Sequence, residues 1–214
     1  MNAHATISSD VTLVPRYGRI APAYDRLHAR WLRHAGGEAQ SAFEGAVTAL
    51  IRPNMRILDV GCGTGSLARR LQRQFGDDID LTLVDACPQM LDRTSDIAVT
   101  RVLGSIEKLP MPDATFDLVT CSWALETTTR THRAIGELMR VVRPGGRVCI
   151  VFCADLPCAR VSQIVLKTAV QWRGTGRFLR LRDVEDALSR LDIERVRRLP
   201  CNGPAAVLVL DKPA

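Results

Sequence analysis

No stretch of this 214-residue sequence approaches the roughly 18 consecutive apolar residues of a membrane-spanning helix, and its opening, MNAHATISSDVTLVP, lacks the charged-then-apolar plan of a secretory signal. A cytoplasmic protein is expected. The sequence has no CxxC pair. Its seven cysteines, at 62, 87, 121, 149, 153, 158 and 201, are odd in number and scattered, which argues against a disulfide framework or a zinc ribbon and for reduced thiols. No metal site is indicated. Lysine occurs only at 108, 167 and 212, so arginine carries nearly all of the positive charge behind a formal net of +6. Two readings of that excess stay open, an arginine bias of the coding sequence and an anionic partner. There is no internal repeat and no low-complexity linker, and a hydrophobic content of 46% is enough to fill a core. A single domain over 1–214 is expected.

Residues 1–15 are polar and aperiodic, end at Pro15, and read as a frayed leader. Helices are expected over 16–52. Pro22 suits a first turn, and Tyr24, Leu27, Trp31 and Ala35 recur at helical spacing until Gly36-Gly37 stops the segment; a second helix runs over about 38–51. Over 53–152 the pattern alternates. RILDV, IDLTLVD, IAVTRVLG, FDLVTCSW and RVCIVFC read as strands, separated by helical SLARRLQRQFG, PQMLDRTS and RTHRAIGELMRVVRPGG. Over 153–214, helices at 157–173 and LRDVEDALSRL precede two strands around Asn202-Gly203, a hairpin signal. The expected fold class is α/β: a doubly wound, mostly parallel seven-stranded sheet, closed at one edge by an antiparallel hairpin and carrying N-terminal lid helices.

The stretch MRILDVGCGTGS bares backbone between the first strand and a helix, where a ligand can approach closely and free N–H groups wait. A dinucleotide fingerprint would need glycine at 66, which is Ser66, and a phosphate loop would need Gly-Lys-Ser/Thr. Both fail. What is present is Asp59 at the strand end, Gly61, Gly63 and Gly65, and Asp85 ending the second strand, where a carboxylate can accept both hydroxyls of a ribose. No lysine or arginine stands in the loop to neutralise phosphate. The ligand expected is an adenosine without a pyrophosphate.

At these residues the sequence resembles the class I S-adenosylmethionine-dependent methyltransferases. ILDVGCGTG is similar to their first motif, LTLVDACPQML to the second, GSIEKLPMPDATFDLVTCSWAL to the stretch through the fourth strand, and ELMRVVRPGGRV to the turn before the fifth. The resemblance covers about 50–152 closely and implies the Rossmann-like fold of that family with S-adenosyl-L-methionine as cofactor. By position it implies that Asp59 and the backbone of Gly61, Cys62, Gly63 and Gly65 hold the amino acid part, and that Asp85 holds the ribose. Ala86 and Met90 would pack on the adenine, with Ser105 and Ile106 beside it and Cys121 and Ser122 at the methionine end. One departure stands out: many relatives read Gly-Asp-Ala where this sequence reads Gly104-Ser105-Ile106. A serine hydroxyl can still accept one hydrogen bond, at a loss of about 1 kcal/mol.

A sulfonium methyl is already a strong electrophile, so such an enzyme aligns the acceptor and excludes water; a base is needed only where the acceptor must lose a proton. The catalytic residue stays unassigned. Tyr24 and Glu126 are the candidates, and His28, His34 and His132 are nominal ones that suit surface or packing roles better. In YGRIAPAYDRLHARW, Arg26, Arg30 and Arg33 fall on one helical face beside Leu27, Trp31 and Ala35. That pattern suits either a helix on an anionic membrane or a lid over the cofactor with a solvated charged side. Tyr17 and Tyr24 would then be lid residues whose faces suit a sulfonium.

The A-x-x-Y-D opening is similar to that of the ubiquinone/menaquinone methyltransferases and the related bacterial phosphatidylethanolamine N-methyltransferases. That implies a lipid-like acceptor, an amine or a quinone precursor, and peripheral contact at the inner face of the membrane. Nine arginines over 160–198, with Trp172 and Phe178 among them, add a second basic and aromatic region. Three alternatives are weaker. Cys121-Ser122-Trp123-Ala124 is not the NPPY-type run of enzymes that grip a flipped base, which argues against nucleic acid. Cys153 and Cys158, spaced C-x4-C, suggest a soluble small-molecule or metalloid acceptor, and a non-catalytic cofactor-binding subunit is the last.

Overall fold

The computed structural model describes residues 13–158, 161–173 and 177–214. Helices α1 (Val14–Ile20), α2 (Tyr24–Trp31) and α3 (Gly37–Leu50) precede β1 (Met55–Val60), α4 (Ser66–Phe75), β2 (Ile79–Asp85), α5 (Pro88–Asp92) and β3 (Thr100–Leu103). Then follow β4 (Phe116–Ser122), α6 (Thr131–Val141), β5 (Val142–Cys153), α7 (Val161–Arg173), α8 (Leu181–Leu188), β6 (Arg195–Leu199) and β7 (Ala205–Asp211). The sheet runs β3-β2-β1-β4-β5-β7-β6. Strands β1 to β5 pair in parallel, and β7 is antiparallel to both neighbours, the expected mixed sheet.

Helices cover both faces, which is why Ile57–Val60 and all of β4 but its last residue are buried rather than alternating. On one face Phe43 and Val47 of α3 meet Leu67 and Leu71 of α4; on the other Ile135 and Leu138 of α6 meet Val184 and Leu188 of α8. Strand order reverses between β1 and β4. In a doubly wound sheet a ligand crevice opens outside the carboxyl ends at that point.

Two N-terminal boundaries differ from expectation. Pro15 lies in the first turn of α1 instead of ending a leader, while residues 1–12 of that leader lie outside the described residues. Gly36-Gly37 does not stop the helix, because a π turn over Leu32–Gly36 carries α2 into α3. The glycines are there for space. A Cβ at Gly36 would stand 2.5 Å from Trp31 Nε1 and 2.9 Å from Trp123 Cη2, and one at Gly37 would stand 2.6 Å from Leu32 O. At the other end of the core, β5 starts at Val142, so Pro144-Gly145-Gly146 belongs to an irregular strand start opposite a register shift in β4.

Candidate functional site

Two loops meet at the switch point. The first leaves β1 and passes through Gly61–Gly65 into α4; the second leaves β4 and passes through Trp123 and Ala124 into a 3-10 turn, Leu125–Thr127. Gly61 has φ +67°, and a Cβ there would stand 2.3 Å from that of Ala124, so backbone conformation and space both require glycine. The glycine loop is braced from β2. Gly61 N and Cys62 N donate to Val84 O at 2.8 and 3.1 Å. The Asp85 carboxylate accepts from Gly63 N through Oδ2 and from Cys87 N through Oδ1, each at 2.8 Å. Burial pushes the Asp85 carboxyl up, against the pull of those backbone donors. Asp59, 1% exposed, accepts from Thr120 Oγ1 at 2.8 Å, and burial pushes it up to about 7.

Three cavities open around this junction. The first lies over Gly61 and Gly63 and is walled by Tyr17, Asp85, Ala86, Met90 and Ile106. The second lies on the other side of the loop and is lined by Asp59, Cys62, Thr64 and Ser122. The third runs beneath α2 and α7, with Leu27, Arg30, Trp31, Glu126, Cys153, Leu166 and Val170 in its walls. Tyr24 and Trp123 line all three. Trp123 holds φ +54°, a conformation that costs an L residue roughly 1–2 kcal/mol. It is held there by its N donating to Val151 O at 2.8 Å and its Nε1 donating to Gln40 Oε1 at 2.6 Å.

The N-terminal helices contribute a run of rings. Tyr24 stacks on His28 at 5.6 Å between centroids, and the edges of His28 and Trp31 meet Trp123 at 6.2 and 5.8 Å. Burial pushes the phenols of Tyr17 and Tyr24 well up and lowers His28 to about 4, so all three are neutral near pH 7. Asp25 Oδ1 accepts from Thr64 Oγ1 at 2.6 Å and ties α2 to the glycine loop.

The structure thus brings together Tyr17, Gly61, Gly63, Asp85, Ala86, Met90 and Ile106 in one cavity and Asp59, Cys62 and Ser122 in its neighbour. Three predicted residues stand elsewhere. Cys121, next to last in β4, is fully buried in the core with Leu58 and Val60 and not at a cavity surface, because alternate strand residues face opposite sides of the sheet. Ser105 lines none of the three cavities; its hydroxyl accepts from Glu107 N at 3.1 Å within a turn. Gly65 lines none of the three cavities; it caps α4 at φ +81°, where a Cβ would stand 2.9 Å from Thr94. His34 and His132 are exposed, and only His28 reaches the cavities. Cys153 donates to the Glu126 carboxyl, and no group of three potential metal ligands gathers among the described residues. Of the basic tail, Arg160 and the side chains of Trp172 and Arg173 lie outside the described residues. Sequence reasoning missed Trp123 and the tie between Asp25 and Thr64. A tryptophan directly after a buried strand at the switch point was the available signal for the first.

A methyltransferase domain family model matches residues 58–150, which hold both loops. The ubiquinone/menaquinone biosynthesis C-methyltransferase UbiE of Ralstonia pickettii is 38% identical over 135 residues, 59% of this chain and 56% of its own length. That of Laribacter hongkongensis is 36% identical over 110 residues, 49% of this chain and 45% of its own. Over this region the chain is similar to the class I S-adenosylmethionine-dependent methyltransferases. It spans about half the length of the curated relatives it matches. Among solved structures, the Haemonchus contortus Phospholethanolamine N-methyltransferase 2 superposes with TM-score 0.74 at 15% identity, over 97% of this chain and 61% of that one. The [4+2]-cyclase SpnF superposes with TM-score 0.64 at 19% identity, over 80% of each. These two likenesses concern the fold alone.

The residues around the two loops fit S-adenosylmethionine, the cofactor of the enzymes that the matched region resembles. A carboxylate ends β2, a side-chain-free strip of backbone runs beside it at Gly61 and Gly63, and Ala86, Met90 and Ile106 wall the first cavity. Among the described residues no cation lines that cavity, which suits an adenosine without phosphate.

Proposed function

We propose that this methyltransferase transfers the methyl group of S-adenosylmethionine to a small, lipid-like acceptor of the quinone-precursor type, held in the cavity beneath α2 and α7. The observation that carries this reading is the shared wall of Tyr24 and Trp123, which puts the acceptor cavity next to both cavities of the glycine loop. Asp85 accepts the ribose hydroxyls, with Ala86, Met90 and Ile106 against the adenine. Asp59 and the backbone of Gly61, Cys62 and Gly63 take the amino acid part, Ser122 lies beside it, and the faces of Tyr17 and Tyr24 favour the positive sulfur. Bound there, the cofactor supplies a methyl group that needs no nucleophilic residue of the protein. The chain's own residues orient the acceptor and exclude water.

The names of the sequence relatives support a quinone-type acceptor, and the apolar walls of the third cavity support a lipid-like one. The exposed Leu27 and Arg30 of α2 and Val165 of α7 line it, and Val161 and Ile164 of α7 with Arg26 and Arg33 are exposed on the same helical segments. That combination suits peripheral contact with an anionic membrane surface. No helix among the described residues is long and apolar enough to cross a membrane. A second reading, an amine acceptor of the phosphatidylethanolamine type, is favoured by one observation, the buried Glu126 carboxyl among rings. The test is incubation with methyl-labelled cofactor and a lipid extract. Label in the quinone fraction is expected; label confined to water-soluble products overturns the lipid-like acceptor, and cofactor that does not bind overturns the whole reading.

A further inference from the structure

Among the described residues three buried side-chain polar atoms have no hydrogen-bond partner: Trp31 Nε1, Glu107 Oε2 and Glu126 Oε2. Trp31 Nε1 lies against Gly36, where even a Cβ would stand 2.5 Å away. Glu107 is a structural cap, since its Oε1 accepts from Thr129 N, Thr129 Oγ1 and Arg130 N at 2.8, 3.1 and 2.9 Å. Glu126 alone has no structural account. It is 5% exposed, it forms part of the wall of the acceptor cavity, and the Cys153 thiol and two backbone N–H groups hold its carboxyl while Oε2 stays unmatched. An unmatched buried acceptor costs about 1–3 kcal/mol, a penalty that a ligand donor would remove.

We infer that Glu126 receives a proton from the methyl acceptor through Oε2, and that the acceptor is a neutral molecule with a hydroxyl on a conjugated ring. This inference rests on the acceptor cavity proposed above. In the step the acceptor O–H bond breaks, its electron pair stays on the acceptor oxygen and the ring, and the proton forms a bond to Oε2. Glu126 passes from carboxylate to carboxylic acid, and returns the proton to water when the cavity reopens. The rings of Tyr24, Trp31 and Trp123 flank the same cavity and suit a flat molecule. Arg30, exposed at this cavity's wall, opposes the pull of the Glu126 carboxylate on an amine cation.

Burial pushes the Glu126 carboxyl up to about 7, so it is part ionised near neutral pH, where a general base works best. The titratable groups around it are Tyr17 of α1, Tyr24, His28 and Arg30 of α2, Cys121 of β4 and Cys153 of β5. Burial keeps the two phenols and two thiols protonated and His28 neutral, which leaves Glu126 as the group that changes charge there near pH 7. Lys167 of α7 is engaged elsewhere, donating to Asp155 at 2.7 Å.

The test needs no turnover. Binding of 4-octylphenol, 4-octylanisole and octylamine is followed by the fluorescence of the tryptophans, on the unmodified chain and on Glu126→Gln. At pH 8 the unmodified chain should bind the phenol about tenfold more tightly than the anisole, which cannot donate, and the preference should fade below pH 6. In Glu126→Gln it should fall to about twofold or less at every pH, while affinity for S-adenosylhomocysteine, which also reports folding, stays unchanged. A phenol preference untouched by the substitution overturns the role of Glu126 and leaves the cavity's role standing. Octylamine binding tighter than octylphenol overturns the acceptor class. If none of the three binds, the acceptor cavity itself is refuted, and this inference with it.

Discussion

The Thr64 hydroxyl donates to Asp25 across 2.6 Å, joining the glycine loop to helix α2, 39 residues away in sequence. Asp25 is exposed, so the bond is worth about 1 kcal/mol, near a fivefold change in an equilibrium. Asp25→Ala and Thr64→Val should therefore each speed release of S-adenosylhomocysteine about fivefold in stopped-flow measurements. Hydrogen exchange over α1 and α2 should rise with it. Equal rates in both variants and the parent chain would show that the tie does not hold α2 in place.

Gly61→Ala should abolish cofactor binding and cost more than about 2 kcal/mol of stability, from positive φ and from a collision. The colliding atom is the Cβ of Ala124. Adding Ala124→Gly should recover part of the stability in calorimetry, leaving the φ penalty behind. Gly63→Ala is the contrasting case: its Cβ meets nothing nearer than Tyr24 Cε1 at 3.8 Å, so only strain of about 1 kcal/mol is expected.

Asp85→Asn should weaken S-adenosylhomocysteine about 100-fold by titration calorimetry, since it disturbs the proposed ribose acceptor and two backbone ties at once. Protection of the Gly63 amide from exchange should drop in the same variant. An Asp85→Ala chain with unchanged affinity would refute the assignment of the first cavity to the adenosine.

Asp59 and Glu126 both carry carboxyls raised to about 7 by burial, above their values of about 4 in an unfolded chain. Their contribution to stability is full below pH 4 and is lost as pH climbs through 7, because the folded state holds protons that the unfolded state has released. The ligand-free protein should therefore melt at a lower temperature at pH 8 than these groups alone allow at pH 5. Asp59→Asn and Glu126→Gln should each raise the melting temperature by roughly 5 °C at pH 8 and leave it nearly unchanged at pH 5. A rise of equal size at both pH values would contradict the burial argument.

Much of this fold is legible in sequence because the parallel strands are buried on both faces and read as short apolar runs between amphipathic helices. Asn202-Gly203 marks the hairpin, and Gly203 holds φ +98° there. Gly36-Gly37 was misleading for a physical reason. Paired glycines signal a helix end locally, yet here they make room for Trp31 and Trp123, a contact between segments that no window of sequence contains. Cys121 and Ser122 show the same limit at single-residue scale, since they share a strand end but one faces the core and the other a cavity. The partnership of Glu126 with Cys153 depends on β4 lying beside β5, which pattern alone does not pair.

Trp123 has a consequence for how donor and acceptor bind. A ring that touches three compartments cannot shift for one occupant without altering the fit of the others. With donor and acceptor in the cavities proposed for them, each should change the affinity of the other by the same factor. Either can bind first, and titration of each in the presence of the other should return equal factors; a shift in one direction only would contradict the shared wall.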